Sequence, residues 1–178
     1  HAKLLAAFPL QQVNIVRHLP HTLELGIQEK VSHVVWMYHD KAWLMDLTGT
    51  PFQELKPEEH ATFIKEQRLP VITDMSPESP STGALRIRPQ ALQGLITLAE
   101  GLNEAIGEPW KQITWTSAKP GETQITVDKG WKLYASLSGN TVEQQLNYLK
   151  TFFTNSIKNT SSLQYIDMRF GEKIFYKD

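Results

Sequence analysis

Apolar and polar positions alternate strictly through much of the chain, and the period switches in only a few places. Val13 and Ile15 alternate with polar neighbours across Gln11–Arg17, and after a Leu19-Pro20-His21 break, Leu23, Leu25 and Ile27 do the same. A period of two marks strands with one buried face. Val34–Tyr38 and Ala42–Leu47 read as a hairpin around His39-Asp40-Lys41, with Thr48-Gly49-Thr50 as a second turn. Further strands are expected at Ile113–Trp115, Thr123–Val127, Trp131–Leu137, Leu163–Phe170 and Lys173–Lys177, the Asp128-Lys129-Gly130 link marking another hairpin.

Helical spacing is confined to fewer segments. Ala2–Phe8 reads as the end of a helix stopped by Pro9, and Pro57-Glu58-Glu59 opens a short helix to about Gln67. Pro89 opens a longer one, with Leu92, Leu95, Ile96, Ala99, Leu102 and Ile106 on one face and Gly107 closing it. The last starts at Thr141, an N-cap with Gln144 three residues on, and lines up Val142, Leu146, Leu149, Phe153 and Ile157. Phe152 lies beside Phe153 and cannot fully share that face. Ser76–Gly83, with two prolines and three serines, is an exposed loop. About nine strands and two main helices make an α+β protein built on a mostly antiparallel mixed sheet.

Composition narrows the chemistry. The 178 residues carry 18 basic and 19 acidic side chains, a net charge of −1, so the chain lacks the basic excess of nucleic-acid binding. There is no cysteine, which removes thiol catalysis, Cys-type metal sites and disulfides, and suits an oxidising compartment. No apolar run reaches the ~20 residues of a membrane-spanning helix. Because the chain begins at His1 rather than Met, it is expected to be a processed or truncated piece, with room for an upstream signal or anchor.

Catalytic signatures are missing. His33 and His39, with Asp40 and Asp46 nearby, form the one cluster that a His/Asp-dependent hydrolase would need, but no HExxH-type pair accompanies them. Ser138 lacks a nucleophile-elbow context, and no phosphate-cradling glycine loop is present. Glu58/Glu59 and Glu100/Glu104 fall on solvent faces of helices. No cofactor or metal is expected, and a non-enzymatic protein is favoured. The final strand, Lys173-Ile174-Phe175-Tyr176-Lys177, stands out instead. Terminal lysines discourage indiscriminate pairing at a sheet edge, while aromatic residues between them suit one chosen partner strand. An ordinary terminal strand with no partner is the plainer alternative.

Four stretches, in order, resemble the bacterial cell-division protein family FtsQ (DivIB). These are Leu19-Pro20-His21-Thr22-Leu23-Glu24-Leu25-Gly26-Ile27-Gln28-Glu29-Lys30 with Val35-Trp36, then Leu44-Met45-Asp46-Leu47-Thr48-Gly49-Thr50-Pro51-Phe52, Leu69-Pro70, and Tyr165-Ile166-Asp167-Met168-Arg169-Phe170-Gly171. The resemblance implies a partial POTRA module over residues 1–30 and a β-domain over 31–178, with Ser76–Gly83 inside the β-domain. It implies the extracytoplasmic, periplasmic portion of a single-pass protein of the cytoplasmic membrane, at the division septum, whose membrane helix this chain lacks.

The implied function is that of a divisome scaffold binding the small bitopic proteins FtsB and FtsL and linking them to septal peptidoglycan synthesis. The implied partner site is the last strand, with Arg169 pairing with a partner carboxylate, Phe170 and Tyr176 as aromatic anchors, and Ile174 and Phe175 alternating faces beside them. A shorter turn after Phe170 than the family's shifts this alignment by about a residue, and a one-residue slip swaps faces. Two rival readings are a POTRA-containing component of outer-membrane assembly or secretion, and the His33/His39 hydrolase.

Overall fold

A computed structural model describes residues 4, 8–60, 64, 69–138, 141–157 and 160–178, Thr141 by its backbone only. Most of the Ala2–Phe8 helix, the far half of the helix after Pro57, the Gly139-Asn140 turn and the Thr141 capping side chain lie outside the described residues. The chain is α+β and divides into two units, His1–Ser32 and His33–Asp178.

The first unit is a hairpin of β1 (Leu10–His18) and β2 (Thr22–Glu29), paired antiparallel with Val13 opposite Ile27, Ile15 opposite Leu25 and Arg17 opposite Leu23. Cross-strand partners share a face, so the alternation read from the sequence collects these aliphatic side chains on one side of the ribbon.

The second unit is a single nine-stranded sheet. Its strands are β3 (Val34–Tyr38), β4 (Lys41–Met45), β5 (Pro51–Leu55), β6 (Val71–Asp74), β7 (Trp110–Trp115), β8 (Glu122–Val127), β9 (Lys132–Ser136), β10 (Tyr165–Phe170) and β11 (Lys173–Lys177). Across the sheet they run β11-β10-β9-β8-β7-β6-β3-β4-β5. The β10–β9, β3–β6 and β6–β7 pairings are parallel and the other five antiparallel. Two of these strands, β5 and β6, are not predicted from the sequence. The first buries only its ends, and the second is four residues long and directly follows Pro70.

Helices α1 (Pro89–Ile106) and α2 (Thr141–Asn155) pack against each other and over one face of this sheet. Pro89 fits the first helical turn because its missing N–H is not needed there. Gly107 ends α1 in the left-handed region (φ 67°), its N–H donating to the Asn103 carbonyl. Leu92, Leu95, Leu98 and Leu102 are fully buried, each contributing about 1.5–3 kcal/mol of apolar burial. They join Trp36, Ile72, Ile113, Ile125, Trp131 and Leu133 in one core. On α2 the predicted face holds through Val142, Leu146, Leu149 and Phe153, but the helix stops at Asn155, short of Ile157. Trp131 is core without being in a strand, since β9 begins one residue later.

Among the described residues, the opposite face is covered only at its β3–β4–β5 end, where Val35, Ala42, Leu44 and Leu55 form a second cluster joined by Phe52, Ile64 and Leu69. Residues 57–60 begin a helical segment just after β5. The turn between β4 and β5 is tight against the chain that follows Ser76–Gly83. Gly49 takes φ 78°, and its carbonyl accepts the N–H groups of Arg86 and Ile87. A Cβ there would stand 1.9 Å from the Ile87 carbonyl oxygen, so only glycine fits. Asp46 holds the same turn, accepting the backbone N–H of Thr48 at 2.9 Å and its hydroxyl.

A buried carboxylate anchors the loop beyond. Asp74, at the end of β6, accepts Trp36 Nε1 at 2.8 Å, Arg86 Nε at 2.6 Å and the Ser76 N–H at 2.9 Å. Burial works against its charge, but the bonds from Arg86, Ser76 and Trp36 outweigh that and hold the carboxyl below the usual range. Arg86 in turn donates Nη2 to the Glu78 carbonyl at 2.7 Å. Ser76–Gly83 is thus a loop of this second unit, pinned at both ends.

Candidate functional site

Within the second unit, the candidate site is the β11 end of the nine-stranded sheet. Among the described residues β11 pairs with β10 alone. In an antiparallel ladder every second residue of an outermost strand turns its N–H and C=O away from the sheet, so β11 offers a row of main-chain donors and acceptors.

The register settles which side chain goes where. Ile166 faces Tyr176 and Asp167 faces Phe175, and after a bulge Phe170 faces Lys173. Tyr176 lies on the helix side, its ring 5.1 Å from that of Phe152 on α2. Ile174 is on the same side, half-buried and packed against the main core. Phe175 belongs to the opposite face and meets the Phe170 ring edge-on at 5.3 Å. Phe170, Phe175 and Tyr176 nevertheless remain 57%, 50% and 49% exposed. The edge therefore carries an aromatic pair on each side of the sheet, one buttressed by the helix and one by the bulge.

Arg169 is placed differently from an unattached cation. Its guanidinium grips Asp167 through Nε at 2.9 Å and Nη2 at 2.6 Å, and Nη1 reaches Glu122 on β8. It also lies over the ring of Tyr134, 5.2 Å from the centroid. Hydrogen bonding to Asp167 raises the guanidinium pKa further. For Asp167, partial burial works against the charge, while bonds from the Arg169 side chain and N–H pull the carboxyl below its usual range. Arg169 thus ties β10 to β8 and braces the bulge before β11.

That brace forms one wall of a cavity of about 450 Å³ on the uncovered sheet face, lined among others by Gln112, Thr114, Gln124, Tyr134, Glu122 and Arg169. Its lining mixes polar side chains with Met75, Trp115 and Tyr134, and its charges are largely matched internally.

Of the five residues singled out from the sequence, Phe170, Phe175 and Tyr176 sit exposed at the edge, Ile174 points inward, and Arg169 is engaged within the chain. The sequence reading does not include Glu122 and Tyr134 among the site's supports. They lie on strands more than 30 residues away in the chain, and only the β8–β9–β10 pairing brings them to Arg169. Phe152 does leave a signal, as a second aromatic next to a core phenylalanine.

His33 and His39 are not brought together. They flank β3 at opposite ends, so ~3.3 Å per residue sets them roughly 20 Å apart. His39 sits in the turn at φ 53°, and Asp46 serves the turn at the other end. Among the described residues no group of three or more His, Asp or Glu is placed to hold a metal ion, and no helix is long and apolar enough to cross a membrane. No family model matches the chain, and no curated protein matches it.

Proposed function

We propose that this chain is the extracytoplasmic part of an FtsQ-like cell-division scaffold, acting through strand addition rather than catalysis. The observation that carries the reading is β11 itself: the outermost strand of a nine-stranded sheet, bonded on one side only among the described residues, with exposed aromatic residues on both faces. A segment of an FtsB-like protein adds along β11, and FtsL joins through that complex. Main-chain bonds supply a sequence-independent share of the affinity, and side chains on alternate faces supply selection.

On this reading Phe170 and Phe175 receive one set of the partner's side chains, and Tyr176 with Phe152 the other. Aromatic residues that are already packed lose little freedom when covered, which is why they dominate binding hot spots. Arg169 holds the edge in shape through its bonds to Asp167 and Glu122. The experiment is capture of an FtsB-like periplasmic segment by the full chain and by a chain lacking Lys173–Asp178. Binding lost with the last six residues supports the proposal; equal binding by both contradicts it.

A further inference from the structure

An open edge that accepts one strand must refuse others, and one competitor present wherever the chain is present is a second copy of itself. We infer that the charge order along β11 bars self-pairing and selects a foreign strand of inverse charge order. The inference rests on the open edge invoked above, but not on which protein the partner is.

The segment reads Glu172-Lys173-Ile174-Phe175-Tyr176-Lys177-Asp178, and its four charged residues are all exposed. Its charges are symmetric about Phe175: minus, plus, three uncharged residues, plus, minus. Two copies meeting edge to edge with full overlap pair antiparallel about Phe175. Lys173 then faces Lys177 of the other copy, and Glu172 faces its Asp178. By two-fold symmetry each pairing occurs twice, so four like-charge pairs stand directly opposite one another, an arrangement that weakens a ladder.

Reversing one strand does not help, because a parallel in-register pair also sets each lysine against its own equivalent. Slipping by two residues relieves the lysines but gives up two of five paired positions. A slip of one turns the wrong main-chain groups toward each other. The aromatic residues that make the edge adhesive toward a partner are therefore guarded against self-association. A foreign strand with carboxylates four residues apart and basic residues just outside them meets every charge with its opposite.

Sedimentation velocity of the full chain, with no other protein present, tests this directly. Wild type is expected to stay monomeric over the accessible concentration range. Lys173→Glu converts both lysine pairs into Glu–Lys pairs and is expected to self-associate at least about tenfold more tightly. The double variant Lys173→Glu/Lys177→Glu restores like against like and is expected to return to monomer. Mixed one to one with wild type, it is expected to form a heterodimer. Because all these positions are exposed, unchanged circular dichroism and thermal midpoints confirm intact folding.

A wild-type dimer, association of the double variant alone, or the absence of association in both Lys173→Glu and the mixture each overturns the inference. Failure to bind an FtsB-like segment with these outcomes intact refutes the proposed function and leaves the charge rule standing.

Discussion

The nine-stranded sheet ends in two strands of equal length, β5 and β11, and the chain treats them in opposite ways. On β5 the apolar residues turn inward: Pro51 and Leu55 are buried, Phe52 packs into the smaller core, and Gln53 and Glu54 face water. Its main chain is blunted as well. Pro51 has no N–H, its carbonyl accepts the Gly83 N–H at 2.8 Å, and the Leu55 carbonyl is met by the His60 ring at 3.1 Å. On β11 the aromatic side chains remain half-exposed, and no further stretch of described chain pairs with the strand. Edge strands are a standing hazard that proteins normally suppress. One edge suppressed and the other left with exposed aromatic residues, within a single sheet, is the contrast on which the proposed strand addition rests.

The largest expected effect comes from releasing the cover on β5. That cover is the chain around Gly83–Ile87, and Arg86 anchors it to the buried Asp74. Removing one partner of a buried ion pair strands the other, so Asp74→Ala should cost about 3–5 kcal/mol in chemical denaturation. It should also raise aggregation, while leaving the affinity of β11 for its partner unchanged per folded molecule. Next in size, Tyr176→Ala and Phe175→Ala should each weaken partner binding by ~1–4 kcal/mol in calorimetry, with folding intact. Because the two rings sit on opposite faces with different neighbours, their losses should add in the double variant.

Gly49→Ala forces a side chain into the left-handed region against the Ile87 carbonyl and should destabilise by ~1–3 kcal/mol, again through the β5 end alone. A milder probe is pH. Asp74 and Asp167 both have carboxyl pKa values held below their unfolded range. Their stabilising contribution is complete above the unfolded carboxylate value of ~3.9 and is lost as pH falls through the lower folded values. Thermal midpoints should be insensitive to these groups between pH 5 and pH 7 (roughly a decade and more above ~3.9) and fall in acid. Asp74→Asn should flatten that acid decline. The smallest effect belongs to the exposed Lys41–Glu54 pair across β4 and β5: Glu54→Gln should change neither stability nor binding measurably.

Much of this architecture is legible in the residues. Strict alternation marks β1, β2, β8 and β9, an apolar run before the His39-Asp40-Lys41 turn marks β3, a wide apolar face bounded by Pro89 and Gly107 marks α1, and Lys173–Lys177 matches β11 to the residue. What local pattern cannot supply is lateral order. Nothing in the β5 segment announces a strand, because only its first and last residues are buried, and β6 is a four-residue parallel strand whose partners lie about 35 to 40 residues away. The faces of β11 were equally hidden. They depend on a bulge between Asp167 and Phe170 that shifts the register by one and is set by the Gly171 turn and the Arg169–Asp167 grip. Arg169 shows the same limit: its type suggests a free cation for a partner, and only the fold reveals Glu122 beside it.

Amide hydrogen exchange across Lys173–Lys177, in the free chain and with an FtsB-like segment bound, tests the open edge most directly. Alternate amides of β11 should exchange rapidly in the free protein and become strongly protected in the complex, while amides of β5 change little. Outward amides already slow in the free chain, or a complex that forms without protecting them, would contradict strand addition at this edge.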